Sequence, residues 1–259
     1  MSVTSNSHLG AAHRRIVIGD VHGHYDGLMK LLEAISPNSE DEVYFLGDLI
    51  DRGPKSSQVV QFVKDGGYPC LMGNHEQMLI SVFSGERRSS SNLQGWLYSG
   101  GQATVASYTE AKIPQQHLDW MKTLPSYIDL GDYWLVHAGV DPTMTVEEQS
   151  CEQFCWVRDE FHGINKPYFP NKTIIIGHTI TFTLPGVTPG KLAEGPGWLG
   201  IDTGAYHPRS GWLTALDITN EVVYQFNVLR PSVRTLPLTK AVASVDLSQV
   251  RGEKSKKRA

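Results

Sequence analysis

The sequence predicts an α/β fold in which sheets and helices pack as one layered domain. Two observations predict it. Short apolar, β-rich runs alternate with amphipathic helical patterns through the first eighty residues, which is how a βαβαβ unit reads. From residue 127 onward, short strand-like runs bounded by Gly, Pro and Asp take over. Of 259 residues, 40% are hydrophobic and 19% charged, enough for a packed core and outside the disordered, collagen-like and coiled-coil ranges.

Residues 15–19 (RIVIG) read as a buried strand, and 26–35 as an amphipathic helix with Leu28, Leu31, Leu32 and Ile35 at helical spacing. Residues 43–46, 57–64 and 68–72 read as strand, helix and strand, the last leading into a helix from about Glu76. Helices are expected over 94–98, 102–108 and 115–122. Residues 127–130 and 133–137 read as a hairpin. Its two-residue turn, Gly131-Asp132, tolerates the positive φ such turns need. Further strands are expected over 173–177, 198–202, 212–218 and 221–226, and the Gly/Pro-rich stretch 185–197 as a long loop. These elements define a domain over 14–227, with 1–13 and 228–259 as terminal extensions.

The chain carries 23 Lys+Arg against 27 Asp+Glu, a net charge of −4. Residues 228–259 are +6 and the remainder is therefore −10. A short basic end reads as a solvated terminus. The acidic body argues against a nucleic-acid groove and suits a protein that holds cations. No run approaches the ~18 apolar residues of a membrane span, and the first residues lack the apolar centre of a signal peptide. A cytoplasmic protein without membrane or nucleic-acid partners is the expectation. Cys70, Cys151 and Cys155 are an odd count, so reduced thiols are expected. Cys151 and Cys155 are one helical turn apart, but no second pair completes a zinc site, and they read as idle.

The chemistry lies where strands end. The first strand ends Gly19-Asp20-Val21-His22-Gly23, the second Gly47-Asp48-Leu49-Ile50-Asp51-Arg52-Gly53, the third Gly73-Asn74-His75-Glu76. Later strands end in His137-Ala138-Gly139 and Gly177-His178. Strand ends of an open α/β sheet line one crevice, so these segments can converge on one site. Any single Asp after a strand is usually a turn, and any single His a satisfied core or surface group. Five Gly-flanked motifs in succession are hard to produce by turn chemistry alone. Asp and Asn oxygens with His nitrogens, and no Cys, suit Mn²⁺, Fe or Zn²⁺. Asp20, His22, Asp48, Asn74, His137 and His178 suffice for two ions, with the Asp48 carboxylate as bridge. Such a pair favours hydrolysis of a phosphate ester by a metal-activated hydroxide.

The order GDVHG, GDLIDRG, GNHE, HAG, GH resembles the phosphoprotein phosphatase superfamily. Residues 73–78 (GNHEQM), 156–160 (WVRDE), 177–179 (GHT) and 201–205 (IDTGA) resemble its bacterial branch, typified by the bacteriophage lambda Ser/Thr protein phosphatase. The resemblance runs from about residue 15 to 226. It implies a calcineurin-like metallophosphoesterase fold, a β-sandwich flanked by helices, with Mn²⁺ as the usual ion. It further implies that Asp20 and His22 hold one metal, that Asp48 bridges, and that Asn74, His137 and His178 hold the other. His75 is then the general acid with Asp51 as its partner, and Arg52 and Arg158 clamp phosphate.

The resulting expectation is a protein phosphatase acting on phosphoserine or phosphothreonine, and on phosphotyrosine as an extension, with phosphoproteins as its partners. The alternative is a symmetrical dinucleoside tetraphosphate hydrolase, which shares fold and metal site. The resemblance implies Ala at the place of Asp51 and Asp at that of Glu76 in that subfamily, which favours the phosphatase. The candidate rim supplies only Lys191 and Arg209 as cations against Glu194, with Trp198 and Tyr206 as stacking faces, which is thin for a tetraphosphate. His24 and His207 are weaker candidates for a substrate contact. An inactive phosphate-binding scaffold is a further alternative, and it would need a broken ligand set.

Overall fold

Two sheets share one interior, and the alternation of side chains along their strands decides what covers each surface. The computed structural model describes residues 13–83, 90–108 and 112–250. The basic run 251–258 and residues 1–12 lie outside the described residues. One sheet holds β1 (Arg15–Ile18), β2 (Glu42–Phe45), β8 (Trp212–Asp217), β9 (Val222–Asn227) and β10 (Ser232–Pro237), in the order β10-β9-β8-β1-β2. The other holds β3 (Tyr127–Asp129), β4 (Tyr133–Val136), β5 (Thr173–Ile176), β6 (Leu192–Gly195), β7 (Trp198–Gly200) and β11 (Val242–Ser244), in the order β11-β6-β7-β5-β4-β3. The mixed α/β class expected from sequence is the observed one.

Within β1, Val17 faces the interior shared with Leu135 of β4, Ile175 of β5 and Leu199 of β7. Its neighbours Ile16 and Ile18 point the other way, into a cluster with Leu28, Leu31 and Ile35 of α1 (Tyr25–Ile35) and Val59, Val60 and Val63 of α2 (Ser56–Asp65). The same alternation in β4 and β5 turns Trp134, Val136, Ile174 and Ile176 toward Phe154 and Phe161. Both faces of the central strands are therefore apolar, as strands covered on both sides require. Each such side chain stabilises the fold by about 1.5–3 kcal/mol. Among the described residues no helix is long and apolar enough to cross a membrane.

Three expectations are corrected. The strand expected over 68–72 is a single bridge, Phe45 to Cys70, because Pro69 has no N–H to donate to a ladder. The stretch 185–197 is not wholly loop, since β6 pairs antiparallel with β7 there. The sheets also run past residue 227: β10 pairs with β9 along six residues, and β11 pairs with β6.

Candidate active site

Each chemically competent side chain sits where a strand hands over to a loop. Asp20 and His22 follow β1, and Asp48, Asp51 and Arg52 follow β2. Asn74, His75 and Glu76 open α3 (Asn74–Phe83) after the Phe45–Cys70 bridge. His137 follows β4, His178 follows β5, and Asp202 follows β7. The handover is strained. His22, Asp48, Asp51, Arg52 and His178 have φ of 45, 49, 71, 68 and 63°, a region that costs a non-glycine residue of order 1–3 kcal/mol. Strain of this kind persists only where surrounding contacts fix it. Gly73 and Gly177 let these loops close, because a Cβ on Gly73 would strike Asp48 and one on Gly177 would strike Asp20.

Glu76 ties two of the loops together. Its Oε2 accepts from the backbone N–H of Asp48 at 2.9 Å and of Gly73 at 3.1 Å, and its Oε1 from Leu49 at 2.9 Å. Asp20 does the same across the sheets by accepting from His178 N at 3.1 and 3.0 Å. The two carboxyl groups thus fix backbone on either side of the site, and burial raises the pKa of both, that of Glu76 to about 8.

The imidazoles are oriented by backbone carbonyls. His22 Nδ1 donates to Ile50 O at 2.9 Å and His137 Nδ1 to Leu46 O at 2.8 Å. A carbonyl can only accept, so Nε2 of each ring carries a lone pair. The His137 lone pair faces an acceptor, Asp48 Oδ1 at 3.4 Å, while that of His22 takes the Arg52 guanidinium and has Asp48 Oδ2 at 3.7 Å and Asp20 Oδ2 at 3.9 Å beside it. His178 Nε2 is buried without a hydrogen-bond partner among the described residues. Burial holds His22, His137 and His178 below their ordinary pKa, so they are neutral donors at pH 7. Burial, with Asp202 and Asp48 close by, pushes Asp20 above the usual carboxylate range. Lone pairs and buried carboxylates that face one another repel unless cations lie among them, and this donor set therefore fits metal ions. Two ligand groups stand out, His22, Asp48 and His75, and Asp48, His137 and His178. Asp48 belongs to both, one oxygen turned to each side. Asn74 Oδ1 lies 2.9 Å from both His137 Nε2 and His178 Nδ1.

His75 is set apart from the other rings by its partner. Its Nδ1 meets Asp51 Oδ2 at 2.6 Å. Asp51 also accepts from Trp96 Nε1 at 3.1 and 2.9 Å and from Thr104 Oγ1 at 2.6 Å. Burial opposes the His75 imidazolium, but Asp48 and the Asp51 bond outweigh it and its pKa is raised. Arg52 Nη1 donates to His22 Nε2 at 2.6 Å, and its guanidinium lies 4.1 Å from the centre of the Tyr206 ring. Arg158 Nη1 donates to Thr179 Oγ1 at 3.0 Å, one residue past His178.

All ten residues singled out from sequence thus lie in one connected cluster. Tyr206 joins it, edge-on to His22 at 5.1 Å between ring centres. His24 caps the start of α1 and His207 packs against Phe182, so neither meets the cluster directly. Sequence reasoning missed Asp202 as a participant. It is buried, its Oδ2 has no hydrogen-bond partner among the described residues, and burial raises its pKa while Arg52 and Arg158 pull the other way. The signal was present, since Asp202 follows a strand just as Asp20 and Asp48 do.

Residues 13–198 match the family of calcineurin-like phosphoesterases. A symmetrical bis(5'-nucleosyl)-tetraphosphatase of Dechloromonas aromatica (strain RCB) is 36% identical over 132 residues, 49% of this chain and 44% of the relative. The protein of the same name from Paracidovorax citrulli (strain AAC00-1) is 36% identical over 160 residues, 59% of this chain and 53% of the relative. The chain spans about half the length of the curated relatives it matches. A solved structure provisionally named a diadenosine tetraphosphatase superposes with a TM-score of 0.60 at 22% identity, over 88% of this chain and 95% of that one, a likeness of fold. These names overturn the expected Ser/Thr protein phosphatase. Asp51 and Glu76, which had favoured it, are fully buried and bonded within the protein, so neither meets a substrate and neither selects one. With the matched segment covering most of the chain and the ten residues singled out from sequence inside it, the chain belongs to the calcineurin-like phosphoesterases.

Proposed function

We propose that this chain hydrolyses dinucleoside tetraphosphates symmetrically, cutting the central phosphoanhydride to give two nucleoside diphosphates. The curated relatives carry that activity in their names. The observation that carries the reading here is the set of aromatic residues around the cluster. Trp156 is 41% exposed with its ring 6.4 Å from that of His178, and Tyr98 is 95% exposed, two residues from the Gly100 carbonyl that accepts Arg52 N. Tyr206 lies on Arg52. One aromatic face on the Arg52 guanidinium and two exposed rings on the segments around the cluster suit a ligand with bases at both ends of a polyphosphate. The rim expected from sequence differs: Trp198 is buried, and Lys191 Nζ is turned to the Lys240 carbonyl.

Two divalent ions, Mn²⁺ by preference, would be held by Asp20, His22, Asp48, Asn74, His137 and His178. When bound they supply Lewis acidity toward phosphoryl oxygens and lower the pKa of water. Arg52 and Arg158 contact the remaining oxygens, for which a planar guanidinium is well shaped. His75, held through Nδ1 by Asp51, presents its Nε2 proton toward the leaving oxygen. A leaving phosphate has a second pKa of about 6, so it needs less help from that proton than an alkoxide does.

The test sets diadenosine tetraphosphate against a phosphoserine peptide on one Mn²⁺-loaded preparation. The expected result is ADP as the sole nucleotide product, with kcat/KM at least roughly tenfold above the peptide, about 1.4 kcal/mol. AMP with ATP, or a preference for the peptide, overturns the reading.

A further inference from the structure

Away from the ligand cluster, two thiols meet in α4 (Cys151–Trp156). Cys151 and Cys155 lie four residues apart with their Sγ atoms 3.2 Å from one another, the first half-buried and the second buried. Cys70 is buried elsewhere and donates to the Leu71 carbonyl. The helix that carries the pair is bonded to two loops of the active site. Phe154 O accepts from Ala138 N at 2.7 Å, the residue after His137. Cys155 Sγ lies 3.3 Å from Met72 O, two residues before Asn74. Trp156, the last residue of the helix, lies edge-on to His178 and donates to Gln77 Oε1.

We propose that Cys151 and Cys155 are a redox-active dithiol, which hydroperoxides oxidise to an intrahelical disulfide, and that closing it slows the enzyme by displacing α4. Cys151 is the attacking sulfur. It is the more exposed of the two, and the hydrogen bond from Cys155 brings its pKa down to about 7. Its thiolate attacks a peroxide oxygen. The O–O bond breaks, a sulfenic acid forms and the departing oxygen takes up a proton. Cys155 then attacks the Cys151 sulfur, forming the S–S bond as the S–O bond breaks, and its proton leaves with the hydroxide as water. The two sulfurs give up two electrons and the peroxide accepts them.

Geometry couples this chemistry to the site. Cβ atoms one helical turn apart stand about 5–6 Å from each other, whereas a disulfide needs about 3.5–4.5 Å. The turn must therefore tighten or shift, and Phe154, Cys155 and Trp156 move with it. Strain of this kind also makes the bond easy to reduce, as a reversible device requires.

The experiment treats the full chain, reduced and Mn²⁺-loaded, with hydrogen peroxide, then alkylates it in denaturant and weighs it. The expected outcome is a loss of about 2 Da with two thiols protected and Cys70 still alkylated. A cross-linked peptide should contain Cys151 and Cys155. Turnover of nitrophenyl phosphate should fall by roughly fivefold or more, the scale of a coupling between two sites, and dithiothreitol should restore it. Cys151→Ser should keep its turnover through the same treatment, with Cys155→Ala as a second variant. Three alkylated thiols after peroxide, equal inactivation of Cys151→Ser, or a disulfide that leaves turnover unchanged each overturns the proposal.

Discussion

Arg52 Nη1 and His22 Nε2 share a 2.6 Å hydrogen bond, so a substrate-binding candidate rests on the lone pair of a metal-binding candidate. The guanidinium is fixed there by a left-handed backbone and by the Tyr206 ring. A cation at His22 and a phosphate in the cleft would draw these partners apart, one taking the imidazole and the other the guanidinium.

Arg52→Ala separates those two duties. It removes a donor that contacts both bound and transferring phosphate oxygens, so KM should rise and kcat fall, with kcat/KM lower by roughly 10²-fold. It also removes a positive charge beside His22, and metal affinity should therefore hold or improve. Kinetics together with a Mn²⁺ titration check this, and unchanged kinetics would return Arg52 to the role of a structural contact.

Asp48 faces His22 with one oxygen and His137 with the other. Asp48→Asn keeps the shape but removes the charge that both ligand groups share. At least one metal per chain should be lost, with activity down by more than roughly 10²-fold. Metal analysis after chelation and reloading measures the first, and full metal content in an inactive variant would contradict it. In the unmutated chain, reloading with Mn²⁺ should restore turnover where Ca²⁺ does not, since three ligands are imidazoles.

His75→Asn tests the proton. Both metals should remain, while hydrolysis of an alkyl phosphate slows by roughly 10² or more. The loss should be smaller for nitrophenyl phosphate and for diadenosine tetraphosphate, whose leaving groups need little protonation. Equal losses on all three substrates would sink the acid role.

One ion pair far from the site gives a pH signature of its own. Arg14 donates to Asp41 through Nη2 at 2.6 Å and Nε at 3.1 Å, which holds the Asp41 pKa down to about 2. Its unfolded value is about 3.9, so the pair stabilises above that pH and its contribution is lost as pH falls toward 2. Arg14 is partly solvated, which limits the pair to about 1 kcal/mol. Asp41→Asn should lower Tm at pH 7 by roughly 2–4 °C, and the gap should close in acid. A gap that stays constant from pH 7 to pH 3 would show that the charge is not what matters.

The ligand cluster was legible because each member carries its own local signal, a Gly-flanked Asp, Asn or His just after an apolar run. The layered fold was legible for the same reason, in the strands flanked by helices. What sequence hid depends on distant partners. β6 lies in a Gly/Pro-rich stretch, and only its pairing with β7 makes Leu192–Gly195 a strand. β10 is largely exposed and lacks an apolar face, so only β9 beside it reveals it. Exposure of aromatic residues was equally hidden: Trp198 is 1% exposed while Trp156 is 41% exposed, and nothing in the two local sequences separates them.

Those aromatic faces give the sharpest test of substrate class. Trp156 stands beside His178, and Tyr98 belongs to the turn Leu97–Gly101 whose Gly100 carbonyl holds Arg52 N. Stacking a base on such a face is worth about 1–3 kcal/mol. If the bases of a dinucleotide lie on these rings, Trp156→Ala and Tyr98→Ala should each raise KM for diadenosine tetraphosphate by roughly fivefold or more. KM for nitrophenyl phosphate, which has no base, should stay within about twofold, since the phosphate contacts are intact. Trp156 also touches His178, so its variant needs the metal analysis used for Asp48→Asn; Tyr98, almost wholly in solvent, does not. Equal effects on both substrates would assign the rings to the scaffold, and no effect of Tyr98→Ala on the dinucleotide would remove it from the binding surface.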